Sequence, residues 1–437
     1  MSLTIEAEWE RLDSGAPEER ACFAALGICA DGIWFTQAED AFVKRLRDKV
    51  HLSAYRLAEW IGWNYWRLRW EPRKSDPDWA LAHRLSTIGG GYVWPNVSIF
   101  SDGERVALLA KPTRPRPQEP LRYLADAAIV VPAREFEQAI DLFMEQVRGQ
   151  LRAERLTSTN LHQIWDDVLA KRADPAQTIL RKFEALLGFD PDEADEAVLE
   201  ALVTDSKSLG ESAMSEVAAA HRRSGEAVLT ASRLDSSAKT IGFEMRPGDV
   251  VLLKSGTPLP RTGAVPAWQL GAEAAQALRT QERLGAEIIK NDRLAQMAGV
   301  AASAIEERRS APPFAYALDE SQVAGHTVLT SKWTVGRRFE VARLLGDRLL
   351  TKDRGLLFPA TTASTYRQKA QRSFAAELLC PFTALVELLH GDHSPEALDD
   401  AAAHFSVSNQ VVSTLLVNHG CIDREDLAGE IEVTSAA

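Results

Sequence analysis

The stretch Arg337-Arg338-Phe339-Glu340-Val341-Ala342-Arg343-Leu344-Leu345-Gly346-Asp347-Arg348-Leu349-Leu350 decides how the second half of this chain is read. It lies in a region, from Ala267 onward, whose pattern predicts helices with one strand at Thr327–Thr330. On a helix Arg343 and Asp347, four residues apart, share a face and can pair. Two further runs follow. One is Phe374-Ala375-Ala376-Glu377-Leu378-Leu379-Cys380-Pro381. The other is Ala401-Ala402-Ala403-His404-Phe405-Ser406-Val407-Ser408, continuing to Val412, Leu415 and Gly420.

Upstream, Ser255–Pro266 is rich in Gly and Pro and is the best linker candidate. Thr240–Lys254 alternates about a Pro-Gly turn and predicts a short strand pair. Residues 133–234 read as almost entirely helical. Phe136, Ile140, Phe143, Met144 and Val147 recur at helical spacing, and Asp174-Pro175 and Asp190-Pro191 read as helix starts, since proline is tolerated in a first turn. The stripes of these helices fit a module for homodimer formation, a hinge, and plain intramolecular packing equally well. Residues 1–125 mix signals. Ala41–Trp70 predicts helix with a turn near Gly62, and Val97–Phe100 with Arg105–Leu109 predicts a hairpin. Lys111–Pro120 reads as an extended, proline-rich loop and Ala127–Pro132 as a buried strand. The fold class expected is α+β, predominantly helical. Its expected parts are a Trp-rich mixed α/β module over 1–132, a helical middle with a short strand pair over 133–262, and a third domain over 263–437.

The chain has 437 residues and a formal net charge of −12, with 45% hydrophobic and 26% charged residues. That is ordinary globular composition and excludes disordered, collagenous and disulfide-scaffold classes. No run reaches the roughly eighteen apolar residues a membrane helix needs, so no membrane partner is expected. The N-terminus is acidic and lacks an apolar signal core, so a cytoplasmic location is expected. Cys22, Cys29, Cys380 and Cys421 form no CxxC pair, which fits a reducing compartment and leaves no thiolate zinc site. Eight of the eleven tryptophans, Trp9, Trp34, Trp60, Trp63, Trp66, Trp70, Trp79 and Trp94, precede residue 95. The N-terminal part is therefore a different module from the Ala/Leu-rich remainder.

The succession of the three C-terminal runs resembles the ImmA/IrrE family of zinc metallopeptidase-like proteins. The likeness covers roughly residues 267–422, with Ala267-Trp268-Gln269-Leu270-Gly271 and Leu294–Val300 similar to the family's lead-in. It implies a zincin-like domain whose HExxH helix would hold zinc through two histidines, with the glutamate between them activating water. Here Arg343 stands at the first histidine position, Leu344 at the glutamate and Asp347 at the second histidine. The third ligand's counterpart is Gln368 or a neighbour, with Tyr366 close by. A cationic arginine cannot ligate zinc and a leucine cannot act as a base. The expectation is a pseudopeptidase with no catalytic residues, no metal and no cofactor, in which an Arg343–Asp347 salt bridge replaces the ion. The likeness further implies bacterial stress, phage-response or toxin–antitoxin regulation.

Lys44–Lys74 holds nine Lys/Arg against three Asp/Glu, interleaved with Tyr55, Trp60, Trp63, Tyr65, Trp66 and Trp70. Cations for phosphates and π-faces for bases are what a nucleic-acid surface needs. The tryptophans also fall on one helical arc, which reads as a buried amphipathic face. Leu46-Arg47, Leu52-Ser53, Leu57-Ala58, Gly62 and Arg69-Trp70-Glu71 are similar to the XRE-type helix-turn-helix. That likeness implies DNA contact near Asn64, Tyr65, Arg67 and Arg69, and with Arg56 and Trp63 these residues form a candidate nucleic-acid or partner-binding set.

Elsewhere the chemistry is thinner. Glu387, His390 and His393, with His404 beyond, read as a polar helix end rather than a metal site. Ala403–Gly420 is helix-turn-helix-like but reads as packing. Gly89-Gly90-Gly91 is not a phosphate loop, and His83 and His221 read as packed or exposed. Three functions stand as expectations: a non-catalytic regulatory protein with a protein partner, a DNA-binding transcription regulator, and an active zinc peptidase that cleaves a repressor.

Overall fold

Ser53 marks the point where the N-terminal chain changes from strand to helix. It closes the strand Val50–Ser53, and its hydroxyl accepts from the Arg56 amide as the N-cap of the helix Ala54–Trp70. The computed structural model describes residues 3–76, 78–114, 120–221, 228–309, 312–351 and 355–423. Its architecture is α+β with small antiparallel sheets. Two units carry it, one of residues 1–203 with 221–227, the other of 204–220 with 228–437. The middle region expected as its own domain is thus shared between them. Among the described residues no helix is long and apolar enough to cross a membrane.

In the first unit Phe23–Ala30 pairs with Leu3–Trp9, Ile33–Trp34 and Val50–Ser53. The expected hairpin is present as Val97–Ser101 and Arg105–Ala110, and Ala127–Pro132 adds a third strand beside Arg105–Ala110. Alternation places Val106, Leu108 and Ala110 inward. A third sheet joins Arg45–Arg47, Ala38–Asp40 and Leu121–Tyr123. The Ala54–Trp70 helix and the helix Ala133–Ala153 bury Leu57, Ile61, Tyr65, Phe136, Phe143 and Val147 in one core with these strands.

Several local expectations are corrected. Ala41–Ser53 is not helical: the Asp40 carboxylate accepts from the Phe42 and Val43 amides at 3.0 Å each, and Lys44 takes φ +52°, which turns the chain into a hairpin. Nor does the helix turn at Gly62. A Cβ there would lie 2.9 Å from Ile164, so glycine serves close packing against the helix Asn160–Ala173. The helix-turn-helix expected around it is therefore a single continuous helix. Asp174-Pro175 does start a helix, with the Asp174 carboxylate accepting from Ala176. Asp190-Pro191 does not. Asp190 pairs with Arg67 at 3.0 Å, and the next helix, Glu196–Leu209, begins after Asp195. Residues 115–119 of the proline-rich loop lie outside the described residues.

The second unit is built on a four-stranded antiparallel sheet ordered Phe243–Met245, Gly325–Val328, Ala315–Asp319, Leu357–Ala360. The strand pair expected over Thr240–Lys254 is absent. Only Phe243–Met245 is extended, and it pairs with the remote Gly325–Val328, because Pro247–Asp249 closes a 3-10 turn. Helices Ala267–Gln281, Thr334–Leu350 and Tyr366–Leu379 pack on this sheet through Leu278, Val341, Leu345, Phe374 and Leu378. Gly346 lets the second and third of these helices touch: a Cβ on it would stand 2.5 Å from Phe374 Cδ1. Gly346→Ala is expected to destabilise the protein by about 1–3 kcal/mol through overpacking. A urea-unfolding midpoint unchanged in that variant would rule the close contact out.

Candidate functional site

The contact that Gly346 allows aligns the side chains of the Thr334–Leu350 and Tyr366–Leu379 helices. Arg343, nine-tenths buried at 8% exposure, points across to the loop that follows strand Leu357–Ala360. Its Nη2 donates to the Thr361 carbonyl at 2.7 Å, to Gln368 Oε1 at 2.5 Å and to Gln371 Oε1 at 3.4 Å. Its Nε is buried without a partner. Both glutamine amides are turned the same way, each Nε2 donating to the Pro359 carbonyl, at 2.9 and 3.1 Å. Gln368 Oε1 also accepts from the Thr361 amide at 2.8 Å. Burial first, and the Arg372 charge second, push the Arg343 pKa down to about 9.

Asp347 does not pair with Arg343, contrary to expectation. It is fully buried, and both its oxygens accept from Arg367, Nε at 2.7 Å and Nη2 at 2.6 Å. A planar guanidinium fork from the facing helix makes two parallel bonds, which one i,i+4 partner on the same helix does not offer as well. Arg367 Nη1 then donates to Ser212 Oγ at 2.9 Å. Thr365, the N-cap of the Tyr366–Leu379 helix, donates to Glu216 at 2.6 Å. Burial holds the Glu216 carboxyl above the usual carboxylate range. Leu344 faces the hydrophobic core, where it lines a void with Met245, Val341 and Leu345. Tyr366 is buried with its hydroxyl on the Val265 carbonyl.

The structure thus brings Arg343 and Gln368 into direct contact, sets Asp347 one turn along the same helix, and takes Leu344 away from the polar cluster. Sequence reasoning missed Arg367, Thr361, Gln371 and Glu216. Arg367 adjoins Gln368 and was within reach. Glu216 lies in a helix with no readable motif. Among the described residues no three His, Cys, Asp or Glu side chains converge as a metal site would require. His390 ends the helix Phe382–Leu389 in a left-handed conformation and is exposed, as are His393 and His404. The Ser406–Ser408 turn places Phe405, Val407, Val412 and Leu415 in the core. A cleft of about 930 Å³, lined by Glu244, Arg246, Asp249, Asp292 and His326, does not include Arg343, Asp347 or Gln368.

The N-terminal set disperses. Tyr65 is buried between Trp66 and Trp165, each meeting it edge-on. Arg67 is 4% exposed and held by Glu71 and Asp190. Arg69 pairs with Glu137 and stacks on Trp70, and Arg56 pairs with Glu19. Asn64 donates to the Trp60 carbonyl one turn back. Trp66 is buried while Trp63 is 56% exposed, so the tryptophan arc is only partly inward. Of the nine cations in Lys44–Lys74, six have acidic partners: Arg47, Lys49, Arg56, Arg67, Arg69 and Lys74. The basic window seen along the chain is mostly neutralised in the fold.

His83 is fully buried, stacked on Trp79, with Nδ1 2.6 Å from the Ile99 carbonyl and Nε2 2.9 Å from Glu71. Its role is packing and pairing. Cys22 and Cys380 are buried, and burial pushes each thiol up to about 12, away from nucleophilic use. Comparison with protein families, curated proteins and solved structures returns no match to this chain.

Proposed function

We propose that this protein is a non-catalytic regulatory or interaction protein whose C-terminal unit is a peptidase-like domain of ImmA/IrrE type without metal chemistry. One observation carries the reading. Arg343, at the first ligand position of the resembling family, is hydrogen-bonded to Gln368, at or beside the third, and Asp347 at the second is locked to Arg367. A cation and an amide tied together serve as an internal crosslink where three ligands would otherwise face an ion. Leu344, at the position of the general base, lies among apolar side chains and has no proton to exchange. The domain then acts by binding a protein partner. A setting in bacterial stress, phage response or toxin–antitoxin control rests on analogy with the resembling family. Elemental analysis of the purified chain tests the reading. Substoichiometric zinc after dialysis against zinc salts is expected. One equivalent per chain, lost on Asp347→Asn, would overturn it in favour of an active zinc peptidase.

A further inference from the structure

We propose that Arg343 and Arg372, the two guanidinium groups gripping the Thr361–Ala363 turn, form a receptor for a single carboxylate; this deepens the pseudopeptidase reading and rests on it. Arg343 Nη2 donates to the Thr361 carbonyl and Arg372 Nη2 to the Ala363 carbonyl, at 2.7 and 3.0 Å, so both cations meet neutral oxygens. Among the described residues neither has a carboxylate within 4.0 Å. The acids in the neighbourhood are engaged elsewhere: Asp347 by Arg367, Glu340 by Thr330 and the Ser331 amide, Glu216 by Thr365. A buried cation such as Arg343 is costly without a counter-ion in contact, Arg372 beside it is half-buried, and every hydrogen bond Arg343 makes leaves from one nitrogen. Its Nε, buried and without a partner, is a donor awaiting an acceptor.

The missing acceptor is anionic and small. A carboxylate is planar, matches the guanidinium fork and brings one negative charge. A phosphate dianion would bring a second charge close to Asp347 and Glu216. The depressed pKa of Arg343, caused by burial and then by Arg372, agrees with a site short of negative charge. Two sources supply the same chemistry: a free small carboxylic acid, and the chain end or acidic side chain of a bound peptide.

The test uses the full chain labelled with ¹⁵N-arginine, titrated with sodium acetate at constant ionic strength against sodium chloride. The Arg343 Nε–H signal is assigned by its loss in Arg343→Lys. A saturable shift of that signal with acetate, and none with chloride, is expected. Arg372→Gln should weaken acetate binding about tenfold. A blocked tripeptide with a free C-terminal carboxylate that binds more tightly than acetate, while its amide does not bind, identifies a peptide source. Acetate binding with no gain from the peptide identifies a small acid. No saturable shift in the wild-type chain, or inorganic phosphate binding more tightly than acetate, overturns the proposal. The wild-type titration does not depend on any variant folding. Because zinc content is measured separately, a metal-free chain that ignores acetate sinks this inference and leaves the pseudopeptidase reading standing.

Discussion

Asp347→Ala is expected to cost about 3–5 kcal/mol of unfolding free energy, the usual penalty for removing one partner of a buried ion pair. Asp347 is fully buried, and the Arg367 guanidinium makes two hydrogen bonds to it. Removing the carboxylate takes both of these bonds from a largely buried guanidinium that also holds Ser212. The double variant Asp347→Ala/Arg367→Met should recover a large part of the loss, because it removes the orphaned charge and refills the volume. Urea unfolding of the wild type, both single variants and the double variant closes the cycle. If the double variant loses the sum of the two single losses, the pair is not the unit described here.

The second large effect is expected at His83. His83→Ala removes a fully buried ring that touches Glu71, Ile99 and Trp79, and should cost about 3–5 kcal/mol. The change has a pH signature through Glu71. Burial acts to raise the Glu71 pKa, but the hydrogen bond and charge of His83, with Arg67 and Lys74, outweigh it and hold the carboxyl below its ordinary 4.5. A carboxyl whose folded pKa is depressed adds stability that is fully present above its unfolded pKa. That stability is lost as pH falls through the folded value. The stability gap between wild type and Glu71→Gln should therefore be constant from neutral pH down to about 5 and shrink below 4.5. Denaturant melts across that range measure it. A gap that widens on acidification would reverse the assignment.

How much of this was legible along the chain depended on the range of each interaction. The order of the C-terminal runs singled out Arg343 and Gln368 as candidate residues, and the two are in direct contact. The partner of Asp347 was not legible from spacing. Helical periodicity proposes only same-helix neighbours such as Arg343, whereas fork geometry favoured Arg367 on the facing helix. Glu216 gave no signal at all, since its helix Glu211–Ala220 is remote in sequence and free of motif. In the N-terminal part, alternation revealed the hairpin Val97–Ala110. Composition misled over Ala41–Ser53, where the backbone follows the Asp40 turn and the Lys44 conformation rather than residue preference. At Gly62 a residue that often breaks helices proved to be a contact point with Ile164. The first error came from an unrecognised local turn and the second from tertiary packing overriding local propensity.

The neutralised cations of Lys44–Lys74 have one more consequence. Five of their partners, Glu6, Glu8, Glu19, Glu137 and Asp190, lie outside the stretch and come near only on folding, while Asp40 and Glu71 stand beside or within it. Unfolding separates them, and the contiguous basic stretch exists as such only in the denatured ensemble. A polyanion attracted to that stretch binds the unfolded chain in preference to the folded one. By mass action such a ligand lowers the apparent stability of the first unit instead of reporting a native function. Affinity for nucleic acid in a partly unfolded sample would then be a measure of how much of the protein had come apart.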